Sequence, residues 1–421
     1  MSADKGRSLD VLRSIQAANA GRDPERLRLK YQRMAGSAFA FMRGSCHLFY
    51  ERLPLGGVFK SAPPVWVCGD LHLENFGSYK GDNRLVYFDI NDFDEAALAP
   101  ASWELVRLLC SLWVGAEVLG TSRAEARHLC AMCLGAYTAA LAAGKAGWVE
   151  RDTVQGPVRA LLDGLRGRSR AQWLAQRTKL TQRRGRLREL RKDGKKALPA
   201  SAAQRAQVEA FMAEFAKAQD DVDFYQVLDV ARRIAGTGSL GLERYVILVQ
   251  GKGSPDANYL LDLKVAQPSS LTPHLKLVQP RWPTEAHRVV AVQQRMQAVS
   301  NAFLHAVVLD ERACVLRGLQ PAEDRVTLDR RTQTLDSLQS VLQVMGRLVA
   351  WAQLRSSGRD GSASADELID YARREKWKAK LLDAAEAGAV QVRRDAAVFK
   401  AAYDAGALTG AADPKGTDGR R

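Results

Sequence analysis

The spacing of apolar residues changes along the chain, and each change predicts a different kind of element. Residues 24–53 (PERLRLKYQRMAGSAFAFMRGSCHLFYERL) place apolar side chains three and four apart, the period of a helix buried on one face. VWVC at 65–68 and RLVYFDI at 84–90 are short apolar runs that read as strands. The segment GDLHLENFGSYKGDN reads as a loop before the second strand, and NDFDEA as an acidic turn after it. Residues 102–119, rich in Leu, Val and Trp, predict a deeply buried helix, and mostly helix is expected onward to about residue 226. RRIAGTGSLGLERYVILVQG and YLLDLKVA then read as three strands around a glycine turn. The helical period returns at 284–300, AVVLDERACVLRGLQP suggests two more strands, and 331–356 and 365–405 are helical.

This order predicts an α+β protein of two lobes. Residues 1–226 form a helical lobe, 227–325 a small β-rich lobe, 326–407 helices returning to the large lobe, and 408–421 a frayed tail. Over 421 residues, 46% hydrophobic and 26% charged content excludes a mostly disordered or fibrous chain. No run of eighteen residues lacks a charge and MSADKGRSLDVLRSIQ has no signal-peptide pattern, so a soluble cytoplasmic protein without a transmembrane segment is expected. The six cysteines follow no disulfide spacing, and Cys130 and Cys133 read as core residues on a helix face.

The net charge of +15 is local. Residues 166–196 hold thirteen Lys or Arg against Glu189 and Asp193, a net +11 in 31 residues, which leaves +4 for the other 390. The segment reads as a solvated basic helix. Its functional alternative is a contact with a polyanion such as nucleic acid or a phospholipid surface.

The chemistry concentrates elsewhere. In CGDLHLENFG, Asp70 and Asn75 are five apart, and Asp92 follows in INDFDEA at the end of a strand. An Asp can orient a hydroxyl and accept its proton, while Asn and a second Asp supply hard oxygen ligands for Mg²⁺. The plain alternative is a polar turn and a capping loop. Two acidic loops in this order at strand ends favour Asp70 as catalytic residue and Asn75 and Asp92 as metal ligands, with Asp89 as a substitute for Asp92. His72, with no second ligand at metal spacing, suits a hydrogen-bonding role inside the loop.

Gly236, Gly238 and Gly241 form G-x-G-x-x-G, with Ser239 inside it. Because a strand follows instead of a helix, the loop reads as a phosphate-covering hairpin and not a dinucleotide fold. Lys264, on the next strand, stands where the α/β-phosphates of ATP need a cation. Glu285 is the one acid on the following helix that could pair with it. In kinases these parts precede the catalytic loop; here they follow it, so either one motif match is accidental or a protein-kinase-like fold has circularly permuted lobes, and the helical last third of the chain favours permutation.

Five ordered blocks, AGSAFAFMRGS, VCGDLHLENFG, VYFDINDFDEA, RIAGTGSLGLERYVILVQG and LLDLKVAQPS, resemble the bacterial family called domain of unknown function 2252. The resemblance runs from about Leu29 to about Arg355 and implies a kinase-like or aminoglycoside-phosphotransferase-like fold. By position it implies Asp70 as catalytic, Asn75 and Asp92 as metal ligands, Gly236, Gly238 and Gly241 as phosphate loop and Lys264 as phosphate-binding lysine. The family pattern carries a glutamate where this chain has Ala291 and a histidine where it has Gln353. Glu104 is expected to start the helix beneath the catalytic loop and accept its N–H groups. The leading expectation is thus an ATP/Mg²⁺-dependent phosphotransferase acting on an unidentified hydroxyl. The alternatives are a nucleotide-binding regulatory module of pseudokinase type and a nucleic-acid-binding protein working through 166–196.

Overall fold

The computed structural model describes residues 10–181, 187–320 and 324–408. The predicted helix at 24–53 is broken by serine caps into α2 (Pro24–Gly36), α3 (Ala38–Gly44) and α4 (Cys46–Arg52), after α1 (Val11–Ala18) and before the short α5 (Val58–Ser61). Ser37 shows why: its extended backbone ends one helix while its hydroxyl accepts the Ala40 N–H and starts the next. Strands β1 (Pro64–Val67), β2 (Phe76–Lys80), β3 (Val86–Ile90) and β4 (Ala97–Pro100) follow, paired antiparallel as β1 with β4 and β2 with β3. β2 lies in the segment that reads as a loop, and β4 falls between the acidic turn and the apolar helix, where no element is expected.

The helical lobe is built on α6 (Ala101–Leu119), apolar on all sides and buried along most of its length, with α7 (Arg123–Ala143) and α8 (Gly156–Arg166) behind it. Three C-terminal helices, α12 (Leu335–Ser356), α13 (Ala365–Arg373) and α14 (Lys376–Asp404), pack into the same core as α2–α7. The last part of the chain therefore does return to the first.

Between them comes α9 (Arg170–Ala175) and then a correction to the sequence reading. Beyond α9, the described residues of the basic segment 166–196 are not helical. They form a hairpin of β5 (Thr178–Thr181) and β6 (Leu187–Leu190) and lead to β7 (Ala197–Pro199); residues 182–186 lie outside the described residues. T-K-L-T and L-R-E-L hold three leucines among their cations, too few to show the period of two by which a strand is read. Four of the segment's cations are tied down: Arg168 is bidentate on Asp324 at 2.9 and 2.6 Å, Arg170 stacks on Tyr259, Arg188 reaches Asp256 and Lys192 reaches Asp229.

β7 opens a six-stranded antiparallel sheet with β8 (Val227–Arg233), β9 (Arg244–Val249), β10 (Tyr259–Val265), β11 (His305–Leu309) and β12 (Arg312–Gly318), in the spatial order β11-β12-β10-β9-β8-β7. α10 (Ala202–Lys217) packs on one face of the sheet through Val208 and Met212 against Ile247 and Leu261. The β-rich part thus draws on residues before 227. On the other face Leu174 and Leu190 cover Ala231, Val246, Leu248 and Leu260. α11 (Glu285–Met296) joins the sheet to the helical core. All six cysteines are buried and free, and among the described residues no helix is long and apolar enough to cross a membrane.

The α7–α12 contact depends on Gly346, where an added Cβ would overlap the Cys133 carbonyl oxygen. Helix propensity favours alanine over glycine by about 1 kcal/mol. A clash with backbone costs about 1–3 kcal/mol or more, because the facing carbonyl is held in its own helix. Gly346→Ala is therefore expected to lower the urea midpoint despite its better propensity.

Candidate active site

A cleft of ≈ 330 Å³ opens between the sheet and the helical lobe. Its floor is the loop after β1. Gly69, at φ +91°, lets this loop approach the acidic turn so closely that a Cβ would overlap the Glu95 carbonyl oxygen. Glu104, fully buried on α6, accepts the Cys68 N–H at 2.6 Å and lies 3.3 Å from Gln353 Nε2, the role expected of it. Three residues on, Arg107 comes up on the same helix face and donates Nε to Asp70 at 2.8 Å. Sequence reasoning missed Arg107, although an arginine one turn after Glu104 in a mostly apolar helix was a visible signal.

The Asp70 side chain is 20% exposed, toward the cleft. Burial raises its carboxyl to about 6, while the Arg107 guanidinium opposes the rise. Asn75 Nδ2 donates to the Asp70 carbonyl, which orients the amide and leaves Oδ1 as acceptor. Asp92 lines the cleft, its carboxylate accepting the Asp94 N–H at 3.4 Å. Asp89 is not interchangeable with it, being buried, facing Arg355 at 3.5 Å and absent from the cleft lining. His72 is buried inside its loop, with Nδ1 accepting the Glu74 N–H and Arg43 Nε at 3.3 Å from Nε2.

The acidic turn is held from behind by Arg288 of α11, which donates to the carbonyls of Asp94, Ala96 and Gln267. Its Asp94 carboxylate takes the Lys264 ammonium. Of the options left open for this lysine, another acid serves, and Glu285 instead bonds Arg288 on its own helix. Burial pulls the Lys264 ammonium down to about 8, with Asp92 opposing.

The roof is the loop between β8 and β9. Gly236 and Gly241 have positive φ, +70° and +88°, and Gly238 sits so low that a Cβ would lie 3.1 Å from the Arg43 carbonyl oxygen and 3.8 Å from Asp70 Oδ2. Cations of the N-terminal helices hold the loop by its carbonyls: Arg22 and Lys30 bond Gly238 at 2.6 and 2.9 Å, and Arg33 bonds Gly236 at 3.0 Å. The N–H groups of Thr237, Gly238 and Ser239 make no protein hydrogen bond among the described residues. Gly236, Gly238 and Ser239 line the cleft with Asp70, Asn75 and Asp92. Gly241 lies at the loop's far end against Arg22.

Among the described residues no group of three or more His, Cys, Asp and Glu is arranged as a metal site. Mg²⁺ asks for less, one or two carboxylates with substrate oxygens and waters. Asn75 and Asp92 fit that demand, and so does Asn91, a cleft residue whose buried Oδ1 has no hydrogen-bond partner.

The fold and cleft define an α+β protein whose acidic loops face a glycine-rich turn. The chain matches, over residues 22–402, the family described as "Uncharacterized protein conserved in bacteria (DUF2252)", and it belongs to that family. No curated protein and no solved structure matches it.

Proposed function

We propose that this protein is a Mg²⁺-dependent, kinase-like phosphotransferase of permuted chain order that moves the γ-phosphoryl group of ATP to a hydroxyl acceptor. One observation carries the reading: Asp70, Asn75 and Asp92 share a single cleft with Gly236, Gly238 and Ser239, although the two sets lie far apart in the chain. The free N–H groups of the glycine turn suit phosphate oxygens. The Lys264 ammonium, buried behind the cleft against its lining residue Asp94, suits the α/β-phosphates. Asn75 and Asp92 would hold Mg²⁺, which when bound neutralises phosphate charge. Asp70 orients the acceptor hydroxyl and takes its proton as the oxygen–phosphorus bond forms and the bond to ADP breaks. A partner for Lys264 in Asp94 favours this reading over a purely regulatory nucleotide site.

The test is ADP formation with water and with panels of hydroxylated small molecules as acceptors. It is expected to need Mg²⁺ and to stop with a chelator. Lys264→Met, which removes the ammonium and leaves Asp94 unpaired, is expected to lower kcat/KM for ATP about 100-fold, roughly 2.7 kcal/mol of transition-state stabilisation. No ADP formation with any acceptor, or an unchanged kcat/KM in the variant, would overturn the reading.

A further inference from the structure

The sheet face that roofs the cleft changes character along its strands. Side chains on one face of a strand recur every second residue. On β9 that face reads Leu248, Val246, Arg244, and on β10 Leu260, Asp262, Lys264. On β8 it ends with Ala231 and Arg233, and β12 brings Arg317 opposite Asp262. Where α9 and the hairpin cover the face it is apolar. Where it meets the cleft it carries Arg233, Arg244 and Arg317 against the one carboxylate of Asp262, while Lys264 beside them is paired with Asp94 of the acidic turn. All five residues are buried or nearly so.

That carboxylate does not go round. Arg244 takes both its oxygens, at 2.8 and 2.5 Å. Arg233 Nη1 lies 2.7 Å from Asp262 but out of line for a hydrogen bond, and it is a buried donor with no hydrogen-bond partner. Arg317 Nε is 3.6 Å from the carboxylate, and its Nη1 reaches only the Asn91 carbonyl at 3.3 Å. Lys264 and Arg244 are direct cross-strand neighbours, an arrangement of like charges that costs stability. Arg233, Arg244 and Arg317 all line the cleft. A sheet has no structural reason to concentrate under-paired guanidinium groups on the stretch that meets the cleft, whereas an oxyanion in the cleft would satisfy them with charge-assisted bonds.

We propose that Arg233 and Arg317 form an anion subsite on the sheet wall of the cleft, beyond Lys264, that takes a phosphate group of the bound ligand. The assignment rests on the phosphotransfer reading for the anion being phosphate; the unmet positive charge stands without it. The wall is ionic where a base-binding slot would be apolar. Recognition there runs through phosphate oxygens.

The test is calorimetric titration of the full chain with tripolyphosphate, without Mg²⁺ or turnover. Saturable, salt-sensitive binding is expected, weakened tenfold or more by Arg317→Gln and by Arg233→Gln and less by Arg317→Lys. Adenosine alone is expected not to bind. Glycerol phosphate added to the MgATP-saturated protein separates two sources. Binding that needs Arg317 assigns the phosphate to the acceptor, and mutual exclusion of tripolyphosphate and MgATP assigns it to the donor chain. Wild-type protein that ignores tripolyphosphate, or variants that bind it unchanged, would overturn the subsite. Should the variants not fold, crystals of the wild type soaked in tungstate decide: anomalous density between Arg233 and Arg317 supports the site, and its absence there removes it. Binding without any ATP turnover would leave the subsite standing and remove the phosphotransferase reading.

Discussion

Asp70→Asn is expected to lower phosphotransfer about 10³-fold while the protein stays folded. Positioned general bases contribute about 10²–10⁴-fold, and here orientation of the acceptor is lost as well. The fold should survive for a reason visible in the site. The Asp70 carboxyl is raised to about 6, so the folded protein holds its proton more tightly than the unfolded chain does. Between the ordinary carboxylate range and about pH 6 that proton is bound more in the folded state, so ionisation at neutral pH costs stability. An asparagine removes this cost and keeps an oxygen for the Arg107 Nε donor, which offsets in part the loss of the carboxylate charge facing the buried Arg107 guanidinium. Heat denaturation midpoints of wild type and variant are expected to agree within a few degrees, as activity collapses. The same shift sets the pH profile. A base works ionised, so activity should rise with pH through about 6 and level above it. Arg107→Gln removes the charge that opposes the rise, and the midpoint should move higher still. A profile that ignores this substitution would separate Arg107 from the catalytic carboxylate.

Asp262→Ala is expected to be the most destabilising single change in the sheet, by about 3–5 kcal/mol at neutral pH, because it strands buried guanidinium charge. Burial alone would raise the Asp262 carboxyl, but Arg233, Arg244 and Arg317 outweigh burial and hold it far below the usual range. A depressed carboxylate contributes stability that is complete above its unfolded value, about 3.9, and is lost as pH falls through the folded value. The deficit of the variant should therefore be constant from pH 5 to 8 and shrink only in acid. Urea unfolding across that range measures it. A deficit below about 1 kcal/mol would mean that the guanidinium groups are compensated elsewhere.

The sequence and the structure agree where local rules decide. α11, α12 and α14 were legible because an apolar stripe at helical spacing has few other solutions. The three strands around the glycine turn were legible because alternation and turn chemistry coincide there. The hairpin at 178–190 was not, since four-residue strands studded with Arg and Lys carry too little apolar signal. β2, with Gly77 and Ser78 inside it, reads as loop for the same reason. In the site, Asp70, Asn75, Asp92 and the glycines stood out because their chemistry fixes residue types at short spacings. Arg107, the Asp94–Lys264 pair and the Asp262 cluster did not. Each depends on which helix face, turn or cross-strand neighbour meets another element in space, and sequence spacing holds no record of that register.

The central claim is that the cleft holds the phosphates of ATP against a metal carried by Asp92. Calorimetric titration of ATP into the protein, with and without Mg²⁺, tests it most directly. Saturable binding that requires Mg²⁺ and falls at least tenfold in Asp92→Asn is the predicted result. Absence of binding at millimolar ATP, or binding that neither Mg²⁺ nor Asp92→Asn alters, would contradict it.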